Sequence, residues 1–303
     1  MNYRENDALN WSKIKHIKTN PRLVKRLLEK EDTDDNDAFK LGRVFHCMIL
    51  EPENFKETFA PAFEDTCQPA IRKVVEHIYY SKWDFSMENV VNAARIVGYQ
   101  SNWKDKTIYD KVVELNGKEY FNYLKKYEDM DVEFVPQEIV DKANDMKYAC
   151  IQNKMFLELF VEEDYDKQVF NEKKVYCNMF GMDLKAKIDR IVVDHDKKVI
   201  HIIELKTTGS LVSGFEAECE KYGYKLQLAF YRMMVEKTFD LGTYDINQWI
   251  VAVESIGDYD MGVFKVKEQI KNMKEVESYL DDMKWHLENN YWAPKRLEDY
   301  QWI

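Results

Sequence analysis

The stretch KAKIDRIVVDHDKKVIHIIELKTTG, residues 185–209, constrains the fold of this 303-residue chain more than any other. It contains two apolar runs separated by a polar turn at residues 194–197, which is typical of two adjacent β-strands. Side chains alternate between the faces of a strand, so Glu204 and Lys206 share one face. In a paired hairpin Asp189 can lie close to that same face.

Two carboxylates and a lysine at the end of an apolar strand are costly to bury unless a ligand binds them. A hydrated divalent cation fits, because Mg²⁺ is usually held by a few carboxylates, with waters and phosphate oxygens completing its shell. One or two such ions can activate a water for phosphodiester hydrolysis and stabilise the leaving oxygen. The alternative is an ordinary surface strand pair with Asp189 nearby, and the D…ExK pattern alone favours that alternative.

Two further motifs favour the metal site over the ordinary surface strand pair. The string LGRVFH supplies G-x-x-x-H as Gly42 and His46, and KLQLAFY supplies Q-x-x-x-Y as Gln227 and Tyr231. In order with Asp189 and E-x-K, they resemble the PD-(D/E)XK nuclease signature, here without the literal Pro-Asp, in its RecB-type and RecE-type subgroup. The strings ALNWSKIKHIKTNP, HCMILEPENF and YGYKLQLAFY also resemble RecE-type (exonuclease VIII-like) phage and prophage exonucleases.

The resemblance covers residues 7–56 and 170–256 and implies roles for individual side chains. Other interpretations of four residues stay open: His46 could be a satisfied interior residue, Gln227 and Tyr231 could be simply buried, and Thr207 could merely end the strand. The implied assignments are catalysis by Asp189, Glu204 and Lys206, metal ligation by His46, Asp189, Glu204 and the backbone carbonyl of Leu205, and substrate contacts by Gln227 and Tyr231. Thr207 is a further candidate for a substrate contact, through phosphate.

The expected cofactor is Mg²⁺, and an imidazole ligand makes Mn²⁺ acceptable as well. Some relatives carry an iron–sulfur cluster on cysteines beyond Q-x-x-x-Y, but no cysteine follows Cys219 here, so no cluster is expected. Five scattered cysteines without C-x-x-C suit a reducing cytoplasm. With no signal-type h-region and no membrane-length apolar run, we expect a soluble cytoplasmic protein without a membrane partner, in a bacterial host if phage-encoded.

Acidic residues outnumber basic ones, 55 to 44, giving a net charge of −11. Taken alone, this balance argues against nucleic-acid binding, because phosphate contacts need lysine and arginine. A nuclease can still bind DNA if its basic residues are concentrated in one groove and the metal adds positive charge.

The pattern along the chain predicts an α/β fold, a mixed sheet flanked by helices around a PD-(D/E)XK restriction-endonuclease-like core. Expected strands lie at residues 174–180, followed by a Gly-Met-Asp turn, and then at 184–193, 199–205, 246–255 and 262–266. Expected helices of this core lie at residues 214–238 and 267–289. We expect one nuclease domain over 1–303, with N-terminal helices in 1–60, a helical insert in 61–165, and the catalytic sheet core and C-terminal helices in 166–303.

Within the expected insert, helices are predicted at residues 87–96, 108–114, 120–126 and 136–156. Trp83, Tyr99 and Trp103 lie near the loops between them. These rings could stack on bases or frayed ends. Packing of a helical subdomain is the favoured alternative, since aromatic residues are commonly core residues.

The resemblance implies a metal-dependent exonuclease that digests linear duplex DNA from its ends, 5′ to 3′, leaving 3′ overhangs for recombination by strand annealing. It also implies a homo-oligomeric ring of three or four chains and a single-strand annealing partner of RecT type. The motifs themselves support only metal-dependent phosphodiester cleavage. One alternative is an endonuclease or another DNA-processing nuclease in defence or replication. Another is a catalytically idle DNA-end-binding scaffold, which the complete set of Asp189, Glu204 and Lys206 argues against.

Overall fold

The structure is a computed structural model that describes residues 6–29, 36–63, 67–160, 167–239, 242 and 244–293. The chain divides into two compact units. Unit 1 comprises Met1–Pro52 and Lys142–Ile303, and unit 2 comprises Glu53–Asp141. The expected limits of a helical insert, at residues 61 and 165, stay a prediction, and residue 165 lies outside the described ranges.

The described chain contains both helices and strands. The helices are α1 (Trp11–Ile14), α2 (Pro21–Glu29), α3 (Asp37–Leu50), α4 (Phe55–Thr58), α5 (Pro69–Tyr80), α6 (Met87–Ile96), α7 (Asp105–Glu114), α8 (Gly117–Lys126), α9 (Gln137–Ile151), α10 (Lys154–Phe160), α11 (Phe215–Tyr222), α12 (Tyr224–Thr238) and α13 (Gln269–Asn289). The strands are β1 (Phe59–Pro61), β2 (Glu133–Val135), β3 (Lys167–Met179), β4 (Met182–Asp194), β5 (Val199–Thr208), β6 (Asp245–Glu254) and β7 (Met261–Lys265). In the part of the chain that the structure describes, no helix combines the length and apolarity needed to cross a bilayer.

Unit 1 is built on a five-stranded mixed sheet in the order β3-β4-β5-β6-β7. All neighbouring pairs are antiparallel except β5 and β6, which are parallel and are joined by the crossover through α11 and α12. Helix α12 packs across β3 to β6 and against α13. The predicted α/β fold with a mixed sheet flanked by helices is therefore confirmed.

Strand β5 is covered on both faces. Ile200 and Ile202 join the apolar core that contains the buried residues of α12. Side chains alternate along a strand, so the fully buried Ile203 and Leu205 lie on the opposite face. Helix α3 contacts β5. This double coverage explains why the sequence of β5 is a nearly continuous apolar run up to Glu204.

The N-terminal segment completes the sheet beside β4. The Leu9 amide donates to the Asp183 carbonyl at 2.9 Å, and the Lys185 amide donates to the Leu9 carbonyl at 2.8 Å. Leu9 thus occupies the side of β4 that β5 does not reach, since β4 and β5 pair only from Arg190 onward. The Asn10 side chain then caps α1 by accepting from the Lys13 amide at 3.2 Å.

Unit 2 has its own apolar core, formed mainly by α5 to α8. A short parallel pair, β1 and β2, also belongs to it. Of its predicted helices, α6 has the expected bounds, whereas α5 was not predicted. Trp83 and Tyr99 pack against the core, as the packing alternative expects, while Trp103 is 39% exposed.

Two boundaries in unit 1 differ from the expected ones. The turn between β3 and β4 is Phe180-Gly181, both at positive φ (57° and 75°), which favours a tight two-residue hairpin, so the predicted Gly-Met-Asp turn is wrong. Strand β3 also begins seven residues earlier than predicted, at Lys167, because charged residues hid the strand pattern. The single helix predicted at 214–238 is two helices, separated where Gly223 adopts φ 70°.

Arg190 ties α10 to the sheet. Its side chain donates to the carbonyls of Leu159 and Phe160, each at 3.0 Å, and to Asn171 Oδ1 at 2.8 Å. The guanidinium also lies 5.1 Å from the Phe160 ring centroid, and the residue is 8% exposed. Burial lowers the Arg190 pKa to about 10, which leaves the group charged at neutral pH.

Arg190→Met should destabilise the fold by about 3 kcal/mol, because three acceptors lose a buried charged donor. The matched control is Arg95→Met, since Arg95 pairs with Asp105 at the surface with 47% of its side chain exposed. That change should cost less than about 1 kcal/mol. Denaturant unfolding measures both, and equal losses for the two variants would contradict the assigned role of Arg190.

Candidate active site

The site begins where β4 and β5 diverge. Arg190 and Ile203 form the last residue pair of these strands. Beyond it, the Leu205 amide donates to Asp189 Oδ2 at 2.8 Å instead of to a backbone carbonyl of β4. The side chain of Asp189 therefore fills the gap between the strands, next to the E-x-K sequence.

Where β4 and β5 diverge, the alternation of buried side chains along β4 also changes. Before Asp189 the core receives the even-numbered residues of β4, which are Met182, Leu184, Ala186 and Ile188. After Arg190 it receives the odd-numbered residues Ile191 and Val193, so the alternation shifts by one residue between them. The local irregularity places two consecutive polar residues, both 8% exposed, on a strand that is otherwise strongly apolar there. The interpretation of the sequence assumed strict alternation of side chains along this strand. That alternation fails at Asp189.

Glu204 has one engaged carboxylate oxygen and one unengaged oxygen. Its Oε1 accepts from Lys206 Nζ and, at 2.7 Å, from Gln227 Nε2. Its Oε2 is buried and has no hydrogen-bond partner among the described residues, although Glu204 is only 3% exposed. An unsatisfied buried carboxylate oxygen is rare and costly. Its chemistry fits a cation ligand.

Helix α12 supplies the groups that hold Glu204 and Lys206. Gln227 Nε2 also donates to the Tyr231 hydroxyl at 2.8 Å, which joins the two members of Q-x-x-x-Y one turn apart. Lys206 Nζ lies 5.0 Å from the ring centroid of Tyr224. The structure thus brings Gln227 and Tyr231 to the E-x-K sequence, while their expected contact with substrate stays a prediction.

Helix α3 brings His46 to the opposite side of Asp189. His46 Nδ1 lies 3.8 Å from Asp189 Oδ2 and 4.0 Å from Glu172 Oε1. These three residues offer donor atoms that all lie within 4.8 Å of one another, and within the described ranges they form the one such group of three. Glu204 does not belong to that group.

Gly42 and Thr207 lie on the same side of the sheet as His46. A Cβ added to Gly42 would lie 3.5 Å from Thr207 Oγ1, an ordinary contact distance. The hydroxyl of Thr207 therefore faces α3, away from Glu204 on the alternating strand. Its expected role in substrate binding stays a prediction.

Sequence reasoning missed Glu172. Counting outward from the two-residue turn Phe180-Gly181 pairs Met179 with Met182, and the same register sets Glu172 opposite Asp189. Because the turn was placed one residue too late and β3 was begun too late, this partner was not found. The missed sequence signal was Gly181, because glycine favours the positive φ of a tight hairpin turn, which the structure shows at both Phe180 and Gly181.

Burial and like charge perturb the carboxyl groups. Burial raises the pKa of Asp189 to about 7 against the attraction of Lys206, and Glu172 adds to the rise. Burial and the Asp189 charge raise the pKa of Glu204 to about 7. Burial and Lys206 lower the pKa of His46, which favours the neutral imidazole that a metal requires. Burial alone would lower the pKa of Lys206, but Glu204 and Asp189 raise it above its ordinary value.

These shifts predict how stability depends on pH. Both carboxyls titrate near 7 in the folded protein and near about 4 in the unfolded chain, so the folded state binds more protons between these values. The stability they contribute is present below about pH 4 and is lost as the pH rises to about 7.

Glu204→Gln removes one of the two titrations. Relative to wild type, the free energy of unfolding of this variant should therefore rise by on the order of 2 kcal/mol between pH 5 and pH 8 without metal, since one pKa unit corresponds to about 1.4 kcal/mol. Urea unfolding in EDTA at several pH values measures the difference. Parallel stability curves for wild type and variant would contradict the raised pKa.

A divalent metal fits the residues present. Two carboxylates, a neutral imidazole and the Leu205 carbonyl form a hard donor set with one softer ligand, suited to Mg²⁺ or Mn²⁺. The unsatisfied Oε2 of Glu204 and the mutual repulsion of the carboxyls are the observations that call for a cation. Asp189 lies between the two groups of donors and could serve both.

A cavity of about 190 Å³ opens beside Gln227 and Tyr231. Three lysines from two segments contribute to its wall, Lys15, Lys185 and Lys187. Burial and the nearby Lys206 lower the pKa of Lys15, so positive charge is concentrated here at an energetic cost. The cavity is a suitable place for an anion.

Comparison with known proteins agrees with this geometry. Residues 11–302 match the family described as "PDDEXK-like domain of unknown function (DUF3799)". The chain belongs to this PDDEXK-like family. The resemblance to PD-(D/E)XK nucleases is therefore confirmed for the superfamily, and the protein has a PD-(D/E)XK nuclease fold.

A solved structure shares the fold of this PDDEXK-like protein at low sequence identity. A "Putative exonuclease" from Eubacterium rectale aligns with a TM-score of 0.50 and 10% identity, covering 96% of this chain and 85% of that one. The structure named SSO0001 aligns with a TM-score of 0.27 and 15% identity, covering 70% and 84% of the two chains, and carries no argument. No curated protein matches the sequence.

Proposed function

We propose that this PDDEXK-like protein is a divalent-metal-dependent deoxyribonuclease that hydrolyses linear double-stranded DNA from its ends. The observation that carries the proposal is the pair of buried carboxylates Asp189 and Glu204 beside the partly buried Lys206, with one oxygen of Glu204 that has no partner among the described residues. The "Putative exonuclease" with the same fold supports the choice of reaction class.

Each side chain has a separable role in this proposal. A divalent metal, Mg²⁺ or Mn²⁺, would supply an activated water and stabilise the leaving oxygen. Asp189, held by the Leu205 amide, and Glu204, held by Gln227, are the ligands. Lys206 keeps its ammonium beside both carboxylates, so it orients the attacking water and stabilises charge on the phosphate.

The lysine-lined cavity supports DNA as the substrate. It places Lys15 and Lys187 next to Gln227 and Tyr231, on an otherwise acidic chain. Concentrated positive charge of this kind lets an acidic protein bind the phosphate backbone locally. Gln227 and Tyr231 would then position the strand while Gln227 also fixes Glu204.

Five further features of the proposed nuclease rest on the RecE-type resemblance. They are digestion from 5′ to 3′, a 3′ overhang as product, a ring of three or four chains, a RecT-type annealing partner and a cytoplasmic location. A closed ring would enclose the DNA and stay on it, so an acidic chain would need few strong phosphate contacts. Cyclic symmetry is the usual way for identical chains to form such a closed assembly. Sedimentation equilibrium should then give a mass of at least three chains.

The decisive assay compares linear duplex labelled at the 5′ or 3′ end with covalently closed circles, in Mg²⁺ and in EDTA. We expect early release of the 5′ label from linear DNA, intact circles and no cleavage in EDTA. Rapid cutting of circles would favour an endonuclease instead. End binding without any cleavage would favour an idle scaffold, and Asp189→Asn provides the matched inactive control.

A further inference from the structure

Glu172 on β3 lies beside Asp189 but has no part in the D…ExK pattern. Its side chain is 12% exposed. Glu172 Oε2 pairs with Lys187 Nζ, while Oε1 is 4.0 Å from His46 Nδ1. The two oxygens thus have different surroundings, one facing a lysine and the other facing a potential metal ligand.

The donor atoms of Glu172, His46 and Asp189 have separations suited to a shared cation. His46 Nδ1 is 3.8 Å from Asp189 Oδ2, and all three donors lie within 4.8 Å of one another. Ligands about 2.1 Å from an octahedral ion are about 3 Å apart when adjacent and about 4.2 Å apart when opposite. Small side-chain rotations would therefore bring the three onto one ion.

Glu204 lies outside the group of His46, Glu172 and Asp189. Gln227 of α12 holds its Oε1, whereas His46 reaches Asp189 from α3. The unpartnered Oε2 of Glu204 is a further oxygen that a cation can bind. Asp189 is the residue that the two arrangements have in common.

We propose that Glu172 is a metal ligand, and that with His46 and Asp189 it forms a second divalent-cation position beside the one formed by Asp189, Glu204 and the Leu205 carbonyl. The proposal deepens the proposed function by naming the residues of a second ion. It concerns binding, so it is testable even on a protein that cleaves nothing.

The Lys187 ammonium competes with a cation for Glu172. Its ammonium pairs with Glu172 and lies on the wall of the lysine-lined cavity. A cation arriving at Glu172 must share or displace it. Removing Lys187 while keeping Glu172 should therefore strengthen cation binding, whereas removing Glu172 should weaken it, so the two partners of one ion pair have opposite effects.

The test measures Mn²⁺ binding to the full chain by titration calorimetry, with electron paramagnetic resonance reporting coupling between neighbouring ions. Wild type should bind two Mn²⁺ per chain. Glu172→Gln should lose one ion or bind it at least about tenfold more weakly. His46→Gln should lose the same ion, providing a second variant if the first folds poorly. Lys187→Gln should keep both ions with equal or higher affinity.

Three results would overturn the proposal. They are a single ion in wild type, unchanged Mn²⁺ binding in Glu172→Gln, and equal losses in Glu172→Gln and Lys187→Gln, which would make the pair structural. If two ions bind as expected but no DNA is cleaved, the ligand assignment stands and the proposed function fails.

Discussion

Cleavage is expected to fall at least about a thousandfold when Asp189 is replaced by asparagine or Glu204 by glutamine, because a metal contributes several kcal/mol to the transition state. Both substitutions keep the size of the side chain and remove a carboxylate that a cation needs. Asp189 would lose its charge beside the Leu205 amide, and Glu204 would lose the unpartnered Oε2. Single-turnover cleavage of linear duplex at saturating Mg²⁺ measures the loss.

The control must remove a buried carboxylate outside the site. Glu254, at the end of β6, is 3% exposed and accepts from the Val212 amide at 2.7 Å. Glu254→Gln should alter stability without removing Mg²⁺-dependent cleavage. Thermal unfolding of all three variants separates misfolding from lost chemistry. Near-wild-type cleavage by Asp189→Asn or Glu204→Gln would eliminate the site assignment.

Lys206→Met should lower the single-turnover rate by on the order of a hundredfold or more, as expected for loss of a group that stabilises transition-state charge. Lys206 contacts Glu204 and lies over the Tyr224 ring, so its ammonium is held in place before substrate arrives. DNA affinity should change much less than the rate. Mn²⁺ binding should be retained, because no metal ligand is removed.

Lys225→Met is the matched control for this change. Lys225 lies on α12 and pairs with Glu220, with 30% of its side chain exposed. Its removal takes away one positive charge from α12, next to the Tyr224 that Lys206 contacts, and leaves the contacts of Glu204 unchanged. We expect the single-turnover rate of this control to match wild type. A Lys206→Met protein that binds DNA poorly but keeps its single-turnover rate would reassign Lys206 to simple phosphate attraction.

The sequence by itself was sufficient for the elements that depend on local periodicity. The apolar runs predicted β4 to β6, and the helical spacing predicted a helix that carries Gln227 and Tyr231. The order of the four motifs was sufficient for the superfamily, which the family match confirms. These features depend on residues that are close in sequence, or on a pattern along it.

Only the tertiary structure decided which groups share the site with Asp189. Beyond the point where β4 and β5 diverge, Leu9 pairs with β4, a contact between residues that are far apart in sequence. The broken alternation at Asp189-Arg190 and the placement of Glu172 follow from strand pairing across the sheet. Local periodicity contains no information about such long-range pairing. For that reason the sequence identified Asp189, Glu204 and Lys206, whereas Glu172 and the unpartnered oxygen of Glu204 emerged only from the packed sheet.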